Sequence, residues 1–275
     1  MNALVIGNYS RVRVSFLLIP LLLLLSIAFF LYVHHAWNAD SYIQIQKNCF
    51  YSLNAKLAQY PQTIFNLTQI GDALIVLSLF SIFYVYAPII WESLVTASLI
   101  SMLASPALKN IFTVPRPAAV LDTSSFFIIG EKLQGFNSLP SGHSITVFTS
   151  FTILLFAFLP KHLLNRIVWI FLILFVGFSL AITRVGVGAH FPLDVLSGSI
   201  VGFASGIAGI LICRKFPIFS WLVKKKFYPV FIVVMLIFSY LLINKIIIDS
   251  LPIYFLTLAA LFYSLYQTTY VYFKR

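Results

Sequence analysis

The sequence predicts an all-α protein, a polytopic bundle of membrane-spanning helices, and three observations predict it. Apolar residues make up 61% of the 275-residue chain and charged residues only 9%. Mean hydropathy is +0.99, well above that of a water-soluble domain. The apolar residues also fall into runs of about 20, the length a helix rising 1.5 Å per residue needs to cross a hydrocarbon core of about 30 Å.

Eight such runs follow one another. The first, Phe16 to Val33, is too long for a signal-peptide core and has no small-residue cleavage site after it, so it reads as a retained anchor. Leu67 to Tyr86, Ile89 to Leu108, His143 to Leu159, Ile167 to Ile182 and Leu193 to Cys213 come next, and Phe227 to Ile243 and Leu251 to Tyr272 close the chain. The sixth run carries Gly198, Gly202 and Gly206 at four-residue spacing, a stripe that admits a neighbouring helix closely. Connectors are mostly short and no internal repeat or flexible linker divides the chain, so residues 1–275 read as one integral membrane domain. Two outer segments are longer, His34 to Asn66 and Ala118 to Leu139, and either is placed to cover a site at the membrane surface. Phe216 to Lys226 sets aromatic and aliphatic residues beside three lysines, as suits a connector in the inner headgroup region.

The net charge of +11 does not point to nucleic acid, because the basic residues form no stripe interleaved with aromatics. They cluster at the ends of the apolar runs and record topology. Eight spans put both termini on one side. The larger basic group comprises Arg11, Arg13, Lys161, Arg166, Arg214, Lys215, Lys224, Lys225, Lys226, Lys274 and Arg275, and it marks the cytoplasmic face. Lys47, Lys56, Lys109, Arg116, Lys132, Arg184 and Lys245 fall on the other. Cys49 and Cys213 lie on opposite faces under this topology, so no internal disulfide is expected.

Three short stretches carry polar residues that such a chain otherwise avoids: KNIFTVPRP from Lys109 to Pro117, PSGHS from Pro140 to Ser144, and TRVGVGAHFPLD from Thr183 to Asp194. The topology brings all three to one outer surface. Lys109, Arg116 and Arg184 would repel one another there unless an anion sat between them. Phosphate fits, since Arg presents a planar fork to two oxygens and Lys a compact charge. Pro140 as a first helical residue would leave the amides of Ser141, Gly142 and His143 facing that anion, and Gly142 removes a side chain where an oxygen must approach. His190 stands four residues before Asp194, whose carboxylate in a first helical turn can reach back, fix one imidazole tautomer and leave the other nitrogen free to attack phosphorus. His143 is then placed to protonate the departing oxygen and activate water.

Each residue taken singly has a plainer reading: an arginine or histidine at a membrane edge usually snorkels or caps a helix. Three ordered motifs on one face do not reduce to that. Other polar residues do. Asp72 reads as a helix-end carboxylate in the headgroup zone, though within reach of the site's cations, and Glu92 sits near the inner surface. His34 and His35 lack a third ligand and read as interfacial, and His162 lies on the inner face. No metal site and no cofactor are expected.

In order, K-x6-R-P, P-S-G-H and R-x5-H-x3-D resemble the three signature motifs of the type 2 phosphatidic acid phosphatase superfamily, which includes vanadium haloperoxidases; they span Lys109 to Asp194, about the middle third of the chain. The resemblance, closest to the bacterial phosphatidylglycerophosphatase and undecaprenyl-diphosphatase branches, implies a metal-independent phosphatase with a six-helix core. It implies a phosphohistidine on His190, Asp194 as its partner, His143 as general acid, and Lys109, Arg116, Ser141, Gly142 and Arg184 as phosphate ligands. Thr183 departs from the serine usual at that position but keeps a hydroxyl, and the two C-terminal spans lie outside the core. The expected partners are membrane lipids and a lipid phosphate substrate: phosphatidic acid, phosphatidylglycerol phosphate, undecaprenyl diphosphate or a lipid A phosphate. A bacterial inner membrane with an outward-facing site is the expected setting. A phosphotransferase passing the group to another lipid, a haloperoxidase, and a lipid transporter without chemistry are the rival readings, and the last gives no reason for the pairing of His190 with Asp194.

Overall fold

The computed structural model describes residues 1–216 and 218–274. Pro217, within the expected interfacial connector, and Arg275, counted with the inner basic group, lie outside the described residues. The chain is helical throughout: α1 (Asn2–Tyr9), α2 (Leu18–Val33), α3 (Ala39–Leu57), α4 (Pro61–Thr68), α5 (Ala73–Phe80), α6 (Phe83–Tyr86), α7 (Pro88–Phe112), α8 (Pro117–Val120), α9 (Gly142–Ala157), α10 (Leu163–Gly186), α11 (Pro192–Lys215), α12 (Tyr228–Ile248) and α13 (Pro252–Phe273). Proline opens α4, α7, α8, α11, α12 and α13 in its first turn, where its missing N–H costs nothing.

Each of the eight predicted spans corresponds to helix, with three differences. Among the described residues, five helices are long and apolar enough to cross a membrane: Val14–Val33, Pro88–Val120, Leu163–Gly186, Pro192–Lys215 and Lys225–Ile248. The predicted continuous span from Leu67 to Tyr86 is broken. Pro61–Gly71 and Ala73–Phe80 meet at 71°, because Asp72 takes an extended backbone and caps the new helix by accepting the Leu74 amide at 2.8 Å; counted as one span, this pair makes six. The fourth predicted span is the 16-residue α9, about 24 Å long at 1.5 Å per residue. The eighth, α13, is long enough but carries Tyr254, Tyr263, Tyr266, Tyr270 and Tyr272 among Ser, Thr and Gln, which lowers its hydropathy below that of the others. The Val14–Val33 stretch has only 6% of its residues buried, so its leucines face outward, as lipid demands.

The centre of the bundle is the packing of α9 on α11. A Cβ added at Gly198 would stand 2.5 Å from the Ser141 carbonyl, and one at Gly206 2.6 Å from Thr152 Cβ. The glycine stripe is thus what lets the second motif lie against the helix that follows the third. The outer segment His34 to Asn66 is largely helical. In α3, Tyr42, Gln46, Phe50 and Asn54 are buried at four-residue spacing, one face turned down onto the bundle. At the opposite end, α1 caps two helices: Asn8 donates to the Ala157 carbonyl at 2.9 Å, and Asn2 accepts the Ile89 amide at 3.3 Å.

Candidate active site

The first motif leaves α7 through Thr113, whose φ of 44° reverses the chain, and continues extended to Arg116. That strip is tied to the end of the following loop by two backbone hydrogen bonds, Arg116 to the Gly135 carbonyl at 2.8 Å and Ser138 to the Val114 carbonyl at 2.9 Å. The pairing places Arg116, Asn137 and Ser138 side by side. Arg116 Nε donates to Asn137 Oδ1 at 2.7 Å and its guanidinium reaches the Ala189 carbonyl at 3.4 Å, beside His190.

In the second motif the helix begins at Gly142, two residues later than Pro140 would suggest. Ser141 is the N-cap, and its hydroxyl oxygen accepts from the Ser144 amide at 3.4 Å and the Ser144 hydroxyl at 3.0 Å. Its own amide donates to the Asp194 carbonyl at 3.0 Å. The expectation of three free amides is therefore corrected to two: Ser141 N–H serves to dock α9 on α11, while Gly142 and His143, as the first helical residues, present amides that no preceding turn can satisfy. A Cβ at Gly142 would lie 3.8 Å from Lys109 Nζ, so the missing side chain leaves open the space beside that ammonium.

The third motif ends α10 and turns on Gly188, with φ of +76°, so that the amides of Ala189 and His190 both return to the Arg184 carbonyl. This turn is how a six-residue separation becomes one wall of a pocket. Arg184, 7% exposed, donates from its guanidinium to Thr68 at 3.1 Å, and its buried Nε has no partner among the described residues. Thr183 turns away and donates to the Leu180 carbonyl at 2.6 Å.

His190 is 1% exposed and Asp194 fully buried. Their separation, His190 Nδ1 to Asp194 Oδ2, is 3.7 Å, too long for the direct hydrogen bond that the spacing suggested. Ser138 fills the gap: its hydroxyl donates to Asp194 Oδ2 at 2.6 Å and lies 3.3 Å from His190 Nδ1. Asp194 is further held by the Phe191 amide at 2.9 Å and by the Tyr42 hydroxyl at 2.8 Å. Burial, then the Asp194 charge, raises the Tyr42 hydroxyl well above its ordinary pKa, so it stays a donor. Burial, then the positive charges of Arg116, Arg184 and Lys109, holds the His190 imidazole well below its usual range. The histidine is neutral at neutral pH, with Nδ1 on the Ser138 side and Nε2 clear of these contacts.

The structure thus brings Lys109, Arg116, Arg184, His143, His190, Gly142, Ser141 and Asp194 to one end of the bundle, although Ser141 and Asp194 spend their polar groups on protein. Two cavities meet there. One, of about 650 Å³, runs between α5, α7 and α9, lined by Val76, Leu94, Met102, Ser105 and Thr146. The other, of about 570 Å³, is bounded by Gln69, Glu131, Arg184 and Lys245. His143 lines both. Four partners escaped sequence reasoning: Tyr42, Thr68, Asn137 and Ser138, of which only Asn137 and Ser138 stand near a motif, just ahead of Pro140.

This arrangement is that of a helical membrane protein with three basic side chains and two imidazoles gathered at one end of the bundle. Residues 90–218, which contain all three motifs, match the family model of the PAP2 superfamily. A lipid A 1-phosphatase from Rhizobium etli is 31% identical over 151 residues, 52% of this chain and 62% of that protein. The bacitracin transport permease protein BcrC of Bacillus licheniformis is 38% identical over 71 residues, 26% of this chain and 31% of that one. The chain thus spans less than two thirds of the length of either curated relative. The crystal structure of Aquifex aeolicus LpxE shares the fold, with a TM-score of 0.50 and 22% identity over 61% of this chain and 95% of that one.

Proposed function

We propose that the protein is a membrane-embedded lipid phosphate phosphatase working through a phosphohistidine. The observation that carries this reading is the convergence of Lys109, Arg116 and Arg184 on a buried, neutral His190, with one guanidinium nitrogen of Arg184 unpartnered. Three cations, offset only in part by Asp194 and Glu131, favour an anionic ligand, and a phosphoryl group supplies that charge. Nε2 of His190 attacks phosphorus in line, the P–O bond to the lipid breaks, and His143, which takes up a proton once the bound phosphoryl group offsets the neighbouring cations, delivers it to the departing oxygen. His143 then takes a proton from water, which attacks the phosphohistidine, releasing inorganic phosphate and restoring Nε2. The cations and the amides of Gly142 and His143 hold the charge on the equatorial oxygens. Ser138 and Asp194 orient Nδ1 and stabilise the imidazolium that forms.

The apolar cavity between α5, α7 and α9 is suited to a lipid chain entering sideways, with the leaving oxygen at His143. The relative from R. etli supports a phosphomonoester on a lipid as substrate, and the basic-residue asymmetry supports a site facing away from the cytoplasm of a bacterial inner membrane, both termini inside. The test is a phosphate-release panel with phosphatidic acid, phosphatidylglycerol phosphate, undecaprenyl diphosphate and lipid A, run on purified wild-type protein and His190→Ala. One substrate should dominate, and the variant should lose all turnover while eluting as a folded species. Turnover retained in His190→Ala removes the covalent mechanism. Phosphate appearing on an acceptor lipid instead of in solution makes the protein a transferase.

A further inference from the structure

Two helices beyond the matched segment, α12 and α13, pack along α5 and α6 and are bonded near the site at the break between α4 and α5. Asn66 at the end of α4 accepts the Ile253 amide at 3.0 Å, capping α13. Lys245, in the last turn of α12, donates to Asp72 Oδ2 at 2.9 Å and lies over the Tyr254 ring, 5.7 Å from its centre. Asp72 uses its other oxygen, Oδ1, to cap α5 at the Leu74 amide. One carboxylate thus fixes both the direction of α5 and its attachment to the C-terminal hairpin. The residue before it, Gly71, is the backrest of His143: a Cβ there would stand 2.7 Å from His143 Cβ and 2.9 Å from Cδ2 of the ring. Lys245 also lines the polar cavity that His143 and Arg184 line, and Asp72 lines the apolar one on the other side of His143.

We infer that the Lys245–Asp72 ion pair is a positioning device for His143, by which the C-terminal hairpin sets the aim of the group that protonates the leaving oxygen. Both residues lie outside the matched segment 90–218. It rests on the reading of His143 as general acid given above. Its physical basis is that the imidazole has a hard surface, the Gly71 backbone, on one side. That backbone turns at Asp72, and Asp72 is held at both ends. A misplaced general acid costs rate in proportion to how much the leaving group needs a proton.

That dependence gives the test. Wild-type protein, Lys245→Met, Lys245→Arg and Asp72→Asn are assayed on the best lipid phosphomonoester from the panel, whose alkoxide needs a proton, and on p-nitrophenyl phosphate, whose phenolate leaves without one. Asparagine keeps the cap on α5 and removes only the charge. The readout is kcat/KM, which reports the steps up to departure of the leaving group and not the later attack of water that both substrates share. Lys245→Met and Asp72→Asn are each expected to lower kcat/KM on the lipid phosphate about tenfold, with kcat/KM on the aryl phosphate within about twofold of wild type and most activity regained in Lys245→Arg. Combining the two should add little. An equal loss of kcat/KM on both substrates, or an unchanged kcat/KM on the lipid, overturns the inference. If Lys245→Met does not fold, Asp72→Asn decides by the same criteria. Failure of the underlying reading is a separate outcome, recognised because His190→Ala then retains phosphate release, and it removes this inference too.

Discussion

Asp194 receives three hydrogen bonds, from Tyr42, Ser138 and the Phe191 amide, and meets His190 only across Ser138. Its charge acts on the imidazole through a hydroxyl. Ser138→Ala should therefore lower kcat on the lipid phosphate by about tenfold, less than loss of the nucleophile, because the carboxylate remains near. Tyr42→Phe should lower unfolding stability by about 2 kcal/mol, the scale of a hydrogen bond to a charged group, measured by denaturant titration in detergent. The depressed imidazole of His190 fixes a pH dependence as well. Attack needs the neutral ring, so the acid limb of kcat/KM is expected below the ordinary imidazole value of about 6.5. For stability the sign is the same. An unfolded chain takes up the proton near 6.5 and the folded one only at lower pH, so the unfolded state binds more protons in between, and stability falls as pH drops through that window. A limb at or above 6.5 would mean that the cations do not face this ring.

Among the elements, the turn after α10 is the most constrained. Gly188 has φ of +76°, and a Cβ there would stand 2.6 Å from the Phe127 carbonyl. Gly188→Ala is expected to destabilise by more than about 1 kcal/mol and to displace His190, so both the melting temperature and kcat should fall. The helices themselves were largely legible because lipid demands long apolar runs, and the motif residues because charge in such runs is rare. The 71° break was not: Leu67 to Tyr86 carries no charge but that of Asp72, and the capping role of that carboxylate depends on a backbone turn that hydropathy does not register. Nor was α3 seen as a helix, since its buried face alternates aromatic with amide side chains, Tyr42 and Phe50 with Gln46 and Asn54. The partners Tyr42 and Thr68 are far in sequence from Asp194 and Arg184, and only the fold reveals those pairings.

At the level of the whole molecule, the candidate site is assembled at one end of four helices, where the side chains of Lys109, Arg116 and Arg184 bring positive charge together. Addition of EDTA is accordingly expected to leave phosphate release within about twofold of its untreated value, on the view that fixed arginines and lysine do the electrostatic work; loss of turnover restored by a divalent ion would assign that work to the ion. The inner ends of the same helices are fastened by α1, which satisfies the Ala157 carbonyl of α9 through Asn8, while Asn2 accepts the Ile89 amide of α7. Lys109 and His143 stand at the far ends of those two helices. An affinity tag fused directly before Met1 would crowd that fastening, so expression vectors for this protein should carry the tag at the other terminus.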